Sequence, residues 1–377
     1  MAIIGDGLIL ASLIGSGLLC WAVLLAGPFR SDAPAAASPE AITLLKPLHG
    51  AERQLERHLA TFLDQDWPAP IQMICSFQRS DDPGIAIVQD LRASRPAADI
   101  DLVVDGRVIG ANAKISNLAN AVQHARHDLL VLSDSDIAVT PGYFAHVSNG
   151  LAQPNVGAVT CLYRGVGAEG IWSRLVALGI DLHFLPSALI GLATGLAHPC
   201  MGSTIAFRRD MLDRIGGFAA FADVLADDHA IGAAVRSLGP QVIVLDTLVI
   251  HNCDERRMAE LVRHELRWNV TIRGIDPAGY FGSILLHPLP LAIIGTVFSG
   301  FSVVGSGAVV LALAARMVIA FRLGHRKPAS FLLVPLRDLL SFAVFIASWF
   351  ARSVDWRGAR LRIEADGRVS AEAEKSR

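Results

Sequence analysis

Cysteine is scarce and never paired. The five residues Cys20, Cys75, Cys161, Cys200 and Cys253 are scattered through 377 residues, with no C-x-x-C spacing. This excludes a disulfide framework and a cysteine-based zinc site. Charge is also thin, at 18% of residues, and the net charge is only -2. No basic excess exists to hold a polyphosphate, so nucleic acid is not an expected partner. What the chain has in quantity is apolar surface. Hydrophobic residues make up 52%, and the mean hydropathy is +0.44. These values exclude a disordered chain and exceed those of an ordinary soluble enzyme.

The apolar residues are concentrated at the two ends. Residues 8–27 carry no charge and are long enough as a helix to cross a hydrocarbon layer of roughly 30 Å. A cleaved signal peptide is the competing reading, with Ala35, Ala36 and Ala37 as its cleavage site. Asp6 precedes the run without any Lys or Arg, and the run exceeds a typical signal core, so an uncleaved anchor is expected. Arg30 after it places the next segment in the cytoplasm. Near the other end, residues 283–300, 301–323 and 331–350 are candidate membrane segments. Arg322, His325, Arg326 and Lys327 separate the last two, and Arg352, Arg357, Arg360 and Arg362 follow. Both basic clusters favour the cytoplasmic side. Three full crossings from a cytoplasmic start cannot satisfy both. Either 283–300, with Pro288 and Pro290, lies at the interface, or 331–350 is re-entrant. The expected protein is a multi-pass component of the inner, cytoplasmic membrane with its polar domain in the cytoplasm. The expected divisions are an anchor at 1–28, a catalytic domain at 29–282 whose stretch 256–282 is an interfacial helix, membrane segments at 283–352 and a polar tail at 353–377. A transporter is excluded by the roughly 250 residues of mixed polarity between the ends.

In that middle stretch, short apolar runs alternate with helical periodicity. Residues 42–45, 71–77, 100–104, 129–133, 156–163 and 242–245 read as strands, and 51–63, 83–94, 115–126 and 227–238 as helices. The alternation predicts an α/β domain with a mostly parallel sheet. Ligands of such sheets sit beyond the carboxyl ends of the strands. The strand 129–133 ends in Ser133-Asp134-Ser135-Asp136. Carboxylates two residues apart on extended backbone project the same way and can share a hard divalent cation; a turn and capping cluster is the alternative. Asp223, Asp227 and Asp228 form a second acidic group at a helix start. There a carboxylate serves as a general base or offsets the helix dipole. His264-Glu265-Leu266-Arg267-Trp268 is a third group, whose guanidinium suits a diphosphate or a membrane-surface helix. Gly165-Val166-Gly167-Ala168-Glu169-Gly170 is a literal G-x-G-x-x-G, but it follows the fifth of these strands, not the first, and lacks a downstream acidic residue at the right distance. It reads as a flexible glycine loop. Residues 184–198 form a nearly uncharged run, too short to span, that lines the lipid-side mouth of the site or packs in the core.

These pieces together resemble the family 2 glycosyltransferases, in the ceramide glucosyltransferase-like branch that includes bacterial hopanoid-biosynthesis enzymes. The resemblance rests on ordered motifs. They are Lys46-Pro47-Leu48-His49-Gly50, Asp64-Gln65-Asp66-Trp67-Pro68, Asp81-Asp82-Pro83, and Gly110-Ala111-Asn112-Ala113-Lys114 with Asn117. Asp134-Ser135-Asp136, then Gly216-Gly217-Phe218 before Asp227-Asp228, and His264 with Arg267-Trp268 complete the series. It departs from the family pattern in His264, which replaces Gln or Arg, and in His229, which replaces an aromatic residue. The resemblance implies a nucleotide-sugar-binding glycosyltransferase A-type domain and single-displacement transfer from a UDP-sugar to a membrane lipid. It assigns Asp228, Arg267 and Trp268 to catalysis. Lys46, Asp81, Asp82, Lys114, Asp134 and His264 bind the nucleotide sugar, and Asp134 and Asp136 hold Mg²⁺ or Mn²⁺. The donor sugar is N-acetylglucosamine or glucose, and the acceptor a hopanoid polyol or a ceramide. Two other functions stay open: a processive polysaccharide synthase of the same fold, and a non-catalytic lipid-binding scaffold.

Overall fold

The computed structural model describes residues 1–27 and 38–351, together with the backbones of three short strands beyond them. Arg30, Ala35, Ala36, Ala37, Arg352 and Arg357, on which the orientation and cleavage arguments rest, lie outside the described residues, as does most of the polar tail.

Eight strands form the central sheet: β1 (Ile42–Pro47), β2 (Ile71–Phe77), β3 (Asp99–Val104), β4 (Leu129–Leu132), β5 (Ile137–Ala138), β6 (Val156–Gly167), β7 (Ile205–Arg208) and β8 (Gln241–Cys253). Their spatial order is β3-β2-β1-β4-β7-β6-β8-β5. The strands β3, β2, β1 and β4 are parallel, as are β6 and β8, while β7 and β5 run antiparallel to their neighbours. The mostly parallel α/β sheet is therefore as expected. Helices cover both faces, so successive residues of one strand enter different cores. Leu44, Met73 and Val131 pack on one side, and Leu45, Ile74 and Leu130 on the other.

Three features differ from the sequence reading. First, β5 and β7 were not expected. β5 is two residues long, and β7 is four residues long and antiparallel between β4 and β6, both too short for a period to register. Second, β8 extends to Cys253, eight residues beyond its expected end at 245, because its second half alternates buried and half-buried positions as a sheet edge does. Third, Gly165 and Gly167 are not a flexible loop. They are the end of β6, paired with His251 and Cys253. A Cβ at Gly165 would lie 2.5 Å from the Ala177 Cα, and one at Gly167 2.9 Å from the Arg174 backbone. These glycines let a helix lie directly on the strand.

That helix is long. Ile171–Gly179, a π turn at Ile180–Phe184 and Leu185–Ala193 run on as one apolar helix of 23 residues. The run expected at 184–198 is its second half. Ala2–Leu25, Val303–Arg322 and Pro328–Ser348 are likewise long and apolar enough to cross a membrane, and Pro277–Leu286 with Pro288–Phe298 makes a pair bent by 69°. The bend falls at His287 before Pro288 and Pro290, in one of the two segments, 283–300 and 331–350, of which one was expected not to cross. The stretch expected as an interfacial helix is two helices, Met258–Ile275 and Pro277–Gly282, with Asp276 capping the second. The apolar helices are not free of charge. Arg316, fully buried, pairs with Asp338 at 2.7 Å and donates to the carbonyls of Leu182 and Leu286. Arg337 pairs with Glu265 at 2.5 Å. Charges in such helices persist because they satisfy one another.

Candidate active site

The carboxyl ends of β1, β2 and β4 supply the first residues. Lys46, the fifth residue of β1, is fully buried. Its ammonium donates to the Asp134 carbonyl at 2.6 Å and to Ser133 Oγ at 3.3 Å, and lies 4.2 Å from the Phe62 ring centroid. Burial pushes its pKa down to about 8, against the Asp134 and Asp136 charges. Lys46 thus supports the acidic turn from beneath instead of opening onto a ligand. After β2, the two adjacent aspartates diverge. Asp81 is exposed and paired with Arg79 at 2.6 Å. Asp82 is buried and accepts the N–H groups of Gly50 at 2.9 Å and Gly84 at 2.8 Å. The glycine of the first motif is therefore held by the aspartate of the third.

Asn112 caps the helix Ala113–Ala121, accepting the Ile115 N–H at 3.1 Å. The same side chain donates to the Val224 carbonyl at 2.8 Å and to Asp227 Oδ1 at 3.3 Å. This joins the lysine segment to the second acidic group. Lys114 then stands between the two, 2.7 Å from Asp134 Oδ1 and 3.2 Å from Asp227 Oδ2. Burial opposes its charge, but Asp134, Asp227 and Asp228 outweigh burial and hold its pKa above the usual lysine range.

Gly202 makes the decisive connection. Its carbonyl accepts the Asp134 N–H at 3.1 Å, and its own N–H donates to Asp228 Oδ2 at 3.0 Å. A Cβ there would sit 2.6 Å from Asp134 Oδ2 and 2.8 Å from Lys114 Nζ. Asp134 and Asp228 therefore flank one residue, Gly202, with the Lys114 ammonium paired to Asp134 and Asp227 beside them. Burial, then Asp227, push the Asp228 pKa up to about 6, against Lys114. Burial also raises Asp134, reinforced by Asp136 and opposed by Lys114. A carboxylate poised near 6 is suited to take a proton near neutral pH.

Asp136 has a different setting. Its Oδ2 lies 3.8 Å from His251 Nε2, and its Oδ1 is buried without a hydrogen-bond partner. Burial would raise its pKa, but His251, His264 and Lys46 prevail and hold it below the usual carboxylate range. An unpaired carboxylate oxygen beside an imidazole is a donor set that fits a divalent cation with water and phosphate oxygens completing its shell. Among the described residues no three His, Cys, Asp or Glu side chains enclose a metal by themselves.

The helix Met258–Ile275 closes the site with rings. His264 Nδ1 is 2.5 Å from Glu255 Oε1, and its ring meets Trp268 edge-on at 4.3 Å. Trp268 is 5.6 Å from His251 and 6.3 Å from Tyr163. Tyr163 stacks on Phe184 at 4.3 Å, with 15° between the ring planes. Burial and the carboxylates of Asp228, Asp136 and Asp134 keep its phenol protonated, while Arg267 acts in the opposite sense. Of the residues expected from sequence, Lys114, Asp134 and Asp228 meet at Gly202, and Asp136, His264 and Trp268 meet around His251. Asp82 holds Gly50, Lys46 lies beneath the acidic turn, and Asp81 faces solvent. Sequence reasoning missed Asn112 as a bridge, Gly202, His251 and Tyr163. His251 could have been found by following the alternation of β8 to its end; Gly202, in an irregular turn, carries no periodic signal.

The sequence model described as Glycosyl transferase family 21 matches residues 7–369. The chain belongs to glycosyl transferase family 21. Curated relatives are ceramide glucosyltransferases. Ceramide glucosyltransferase 1 of Caenorhabditis elegans is 21% identical over 228 residues, covering 60% of this chain and 48% of that one. Ceramide glucosyltransferase 3 of the same organism is 23% identical over 237 residues, covering 60% and 49%. The family 21 chain thus spans about half the length of these relatives, and the ceramide glucosyltransferase-like resemblance holds. Among solved structures, the mannosyltransferase PcManGT from Pyrobaculum calidifontis, in complex with GDP-Man and Mn²⁺, superposes with a TM-score of 0.50 at 20% identity. It covers 93% of this chain and 99% of that one. The shared fold is the glycosyltransferase A type.

Proposed function

We propose that this family 21 chain moves a single sugar from a UDP-sugar to a hydroxyl of a membrane lipid, with inversion at the anomeric carbon. The observation that carries the reading is the Gly202 peptide joining Asp134 to Asp228. It brings the two carboxylates to either side of one residue, which supports a base and a diphosphate-side carboxylate serving one donor. Asp228 accepts the proton of the lipid hydroxyl as that oxygen bonds to the anomeric carbon. The bond from the anomeric carbon to the diphosphate oxygen breaks, and UDP leaves with the electron pair. Lys114, freed from Asp134 and Asp227, and Arg267 offset the charge that gathers on the diphosphate. Asp82 keeps the Gly50 turn in place along the nucleotide. Mg²⁺ or Mn²⁺, when bound, would be held by Asp134 and Asp136 with His251 beside them, and would supply further neutralisation of the diphosphate. That PcManGT was captured with a nucleotide sugar and Mn²⁺ supports this choice.

The acceptor stays in the bilayer, which suits a catalytic domain at 29–282 between apolar helices. The domain faces the cytoplasm, and the protein is multi-pass in the inner membrane. Tyr163 stacks on Phe184, the residue before the apolar helix Leu185–Ala193, which supports an acceptor reaching the site from the apolar side. The donor sugar is glucose or N-acetylglucosamine, and the acceptor a ceramide or a hopanoid polyol. The test is the full chain in liposomes supplied with both UDP-sugars and both lipids, with products weighed by mass spectrometry. One added sugar, of inverted configuration, is the expected product. A ladder of masses would identify a polysaccharide synthase, and absence of UDP release with every pair would leave a lipid-binding scaffold.

A further inference from the structure

The apolar helix Pro328–Ser348 sends one guanidinium out to the catalytic domain. Arg337 and Glu265 are both buried, at 3% and 6% exposure. Arg337 donates to Glu265 Oε2 at 2.7 Å, and its other terminal nitrogen lies 2.5 Å from Oε1. The neighbouring Asp338 is taken by Arg316 at 2.7 Å and His183 at 3.0 Å, so Glu265 is the carboxylate that Arg337 serves. A planar fork on both oxygens fixes orientation as well as distance. Arg337 also has a firm bed. A Cβ at Gly179 would lie 2.5 Å from its Cζ, so the guanidinium lies against the backbone of the helix Ile171–Gly179. That helix is itself seated on β6 through Gly165 and Gly167. The fork is thus referenced to the central sheet.

Glu265 belongs to the helix Met258–Ile275, which also carries His264, Arg267 and Trp268. Three residues of this helix, spaced by four, are tied to the chain from 337 to 351. Glu265 takes Arg337. Asn269 Oδ1 accepts the Tyr280 hydroxyl at 2.7 Å, which lies 2.7 Å from Ser348 Oγ. Arg273 donates to the carbonyls of Ser348 and Ala351. Residues at this spacing share one helix face. His264 and Trp268 form the next row, about 100° around the helix, and this row meets His251. One row is clamped and its neighbour supplies the rings of the site. Of the three ties, Arg337 with Glu265 is the one beside His264. A buried ion pair is weak evidence for stability, because apolar residues of similar volume often serve as well. A pair kept at this position points to a role in geometry.

We propose that Arg337 is a positioning residue: through Glu265 it sets the rotation of the helix Met258–Ile275, and with it the placement of Trp268 and Arg267 at the donor. The proposal rests on the transferase reading and adds to it a residue of the apolar helices.

The experiment uses the full chain in liposomes, with the UDP-sugar and lipid that wild type turns over. In Arg337→Leu with Glu265→Leu both charges go and neither is stranded, so the melting temperature should stay near that of wild type. The lipid KM should hold while kcat falls on the order of a hundredfold, as for a displacement of about 1 Å. Arg337→Lys keeps the charge and loses the two-point contact, and its kcat should fall on the order of tenfold; it decides the matter if the double variant does not fold. A wild-type kcat in either folded variant, or a raised lipid KM with kcat unchanged, would overturn the proposal. A second readout needs no turnover: fluorine NMR of the fluorotryptophan-labelled chain in detergent. The Trp268 line, assigned with Trp268→Phe, should move in both variants, while the line of Trp67, packed on Phe144, stays. An unmoved Trp268 line would overturn the proposal. A moved Trp268 line in a chain whose wild type transfers sugar to no lipid would keep the positioning of the helix and remove the transferase reading. Transfer by wild type and both variants at one rate would do the reverse.

Discussion

Asp228 carries a pH dependence in its surroundings. Burial and Asp227 push its pKa up to about 6, and a base works only when deprotonated. Transfer should therefore be complete above neutrality and fall as pH drops through 6, by about tenfold per unit once the group is mostly protonated. A rate profile on the lipid acceptor checks this; a flat rate between pH 5 and 7 would detach Asp228 from proton transfer. Gly202 makes a second prediction at this scale. A methyl group there meets Asp134 Oδ2 at 2.6 Å and Lys114 Nζ at 2.8 Å, so Gly202→Ala must move one carboxylate away from the other. Displacement of about 1 Å in such a site costs on the order of a hundredfold. The variant should lose kcat to that extent while keeping its melting temperature, since the neighbours are side-chain ends and not core. Chelation belongs here too: with Asp136 Oδ1 unpaired beside His251, EDTA should stop turnover, and Mn²⁺ or Mg²⁺ should restore it. Turnover unchanged by EDTA would remove the cation.

Among the elements, the parallel half of the sheet was legible because its strands are buried on both faces and read as unbroken apolar runs, Leu129–Leu132 being the plainest. The acidic positions were legible because they fall just past such runs or at a helix start. What escaped detection has a common cause. The strand β7 is too short for a period, Gly202 lies in an irregular turn, and Asp82 and Asp81 differ only in which of them the backbone turns inward. The glycine run 165–170 misled because glycine marks both loops and close packing, and a single sequence does not separate them. At Gly165 the close packing can be measured. A Cβ there would meet the Ala177 backbone at 2.5 Å, so Gly165→Ala should destabilise by about 1–3 kcal/mol, seen as a lower melting temperature. An unchanged melting temperature would mean the helix is not held against β6.

At the scale of the whole molecule, the apolar helices and the catalytic sheet are joined by charge as well as by packing. Arg316 and Asp338 are fully buried and 2.7 Å apart, and Asp181, beside Gly165 of β6, accepts from the Gly165 N–H and pairs with His325 at 2.7 Å. Removing one member of a buried pair strands the other, at about 3–5 kcal/mol. Arg316→Leu should therefore lower the yield of folded chain in detergent, and Arg316→Leu with Asp338→Leu should recover much of it. A double variant no better than the single one would show that Arg316 acts through the Leu182 and Leu286 carbonyls instead. The proposed function depends on one arrangement, Asp228 and Asp134 on either side of Gly202, with Asp228 proposed as the base. Asp228→Asn in the full chain tests it most directly, with UDP-sugar binding and transfer to lipid measured on the same sample. The account predicts that binding is kept while transfer falls by on the order of a thousandfold. Transfer at the wild-type rate would contradict it.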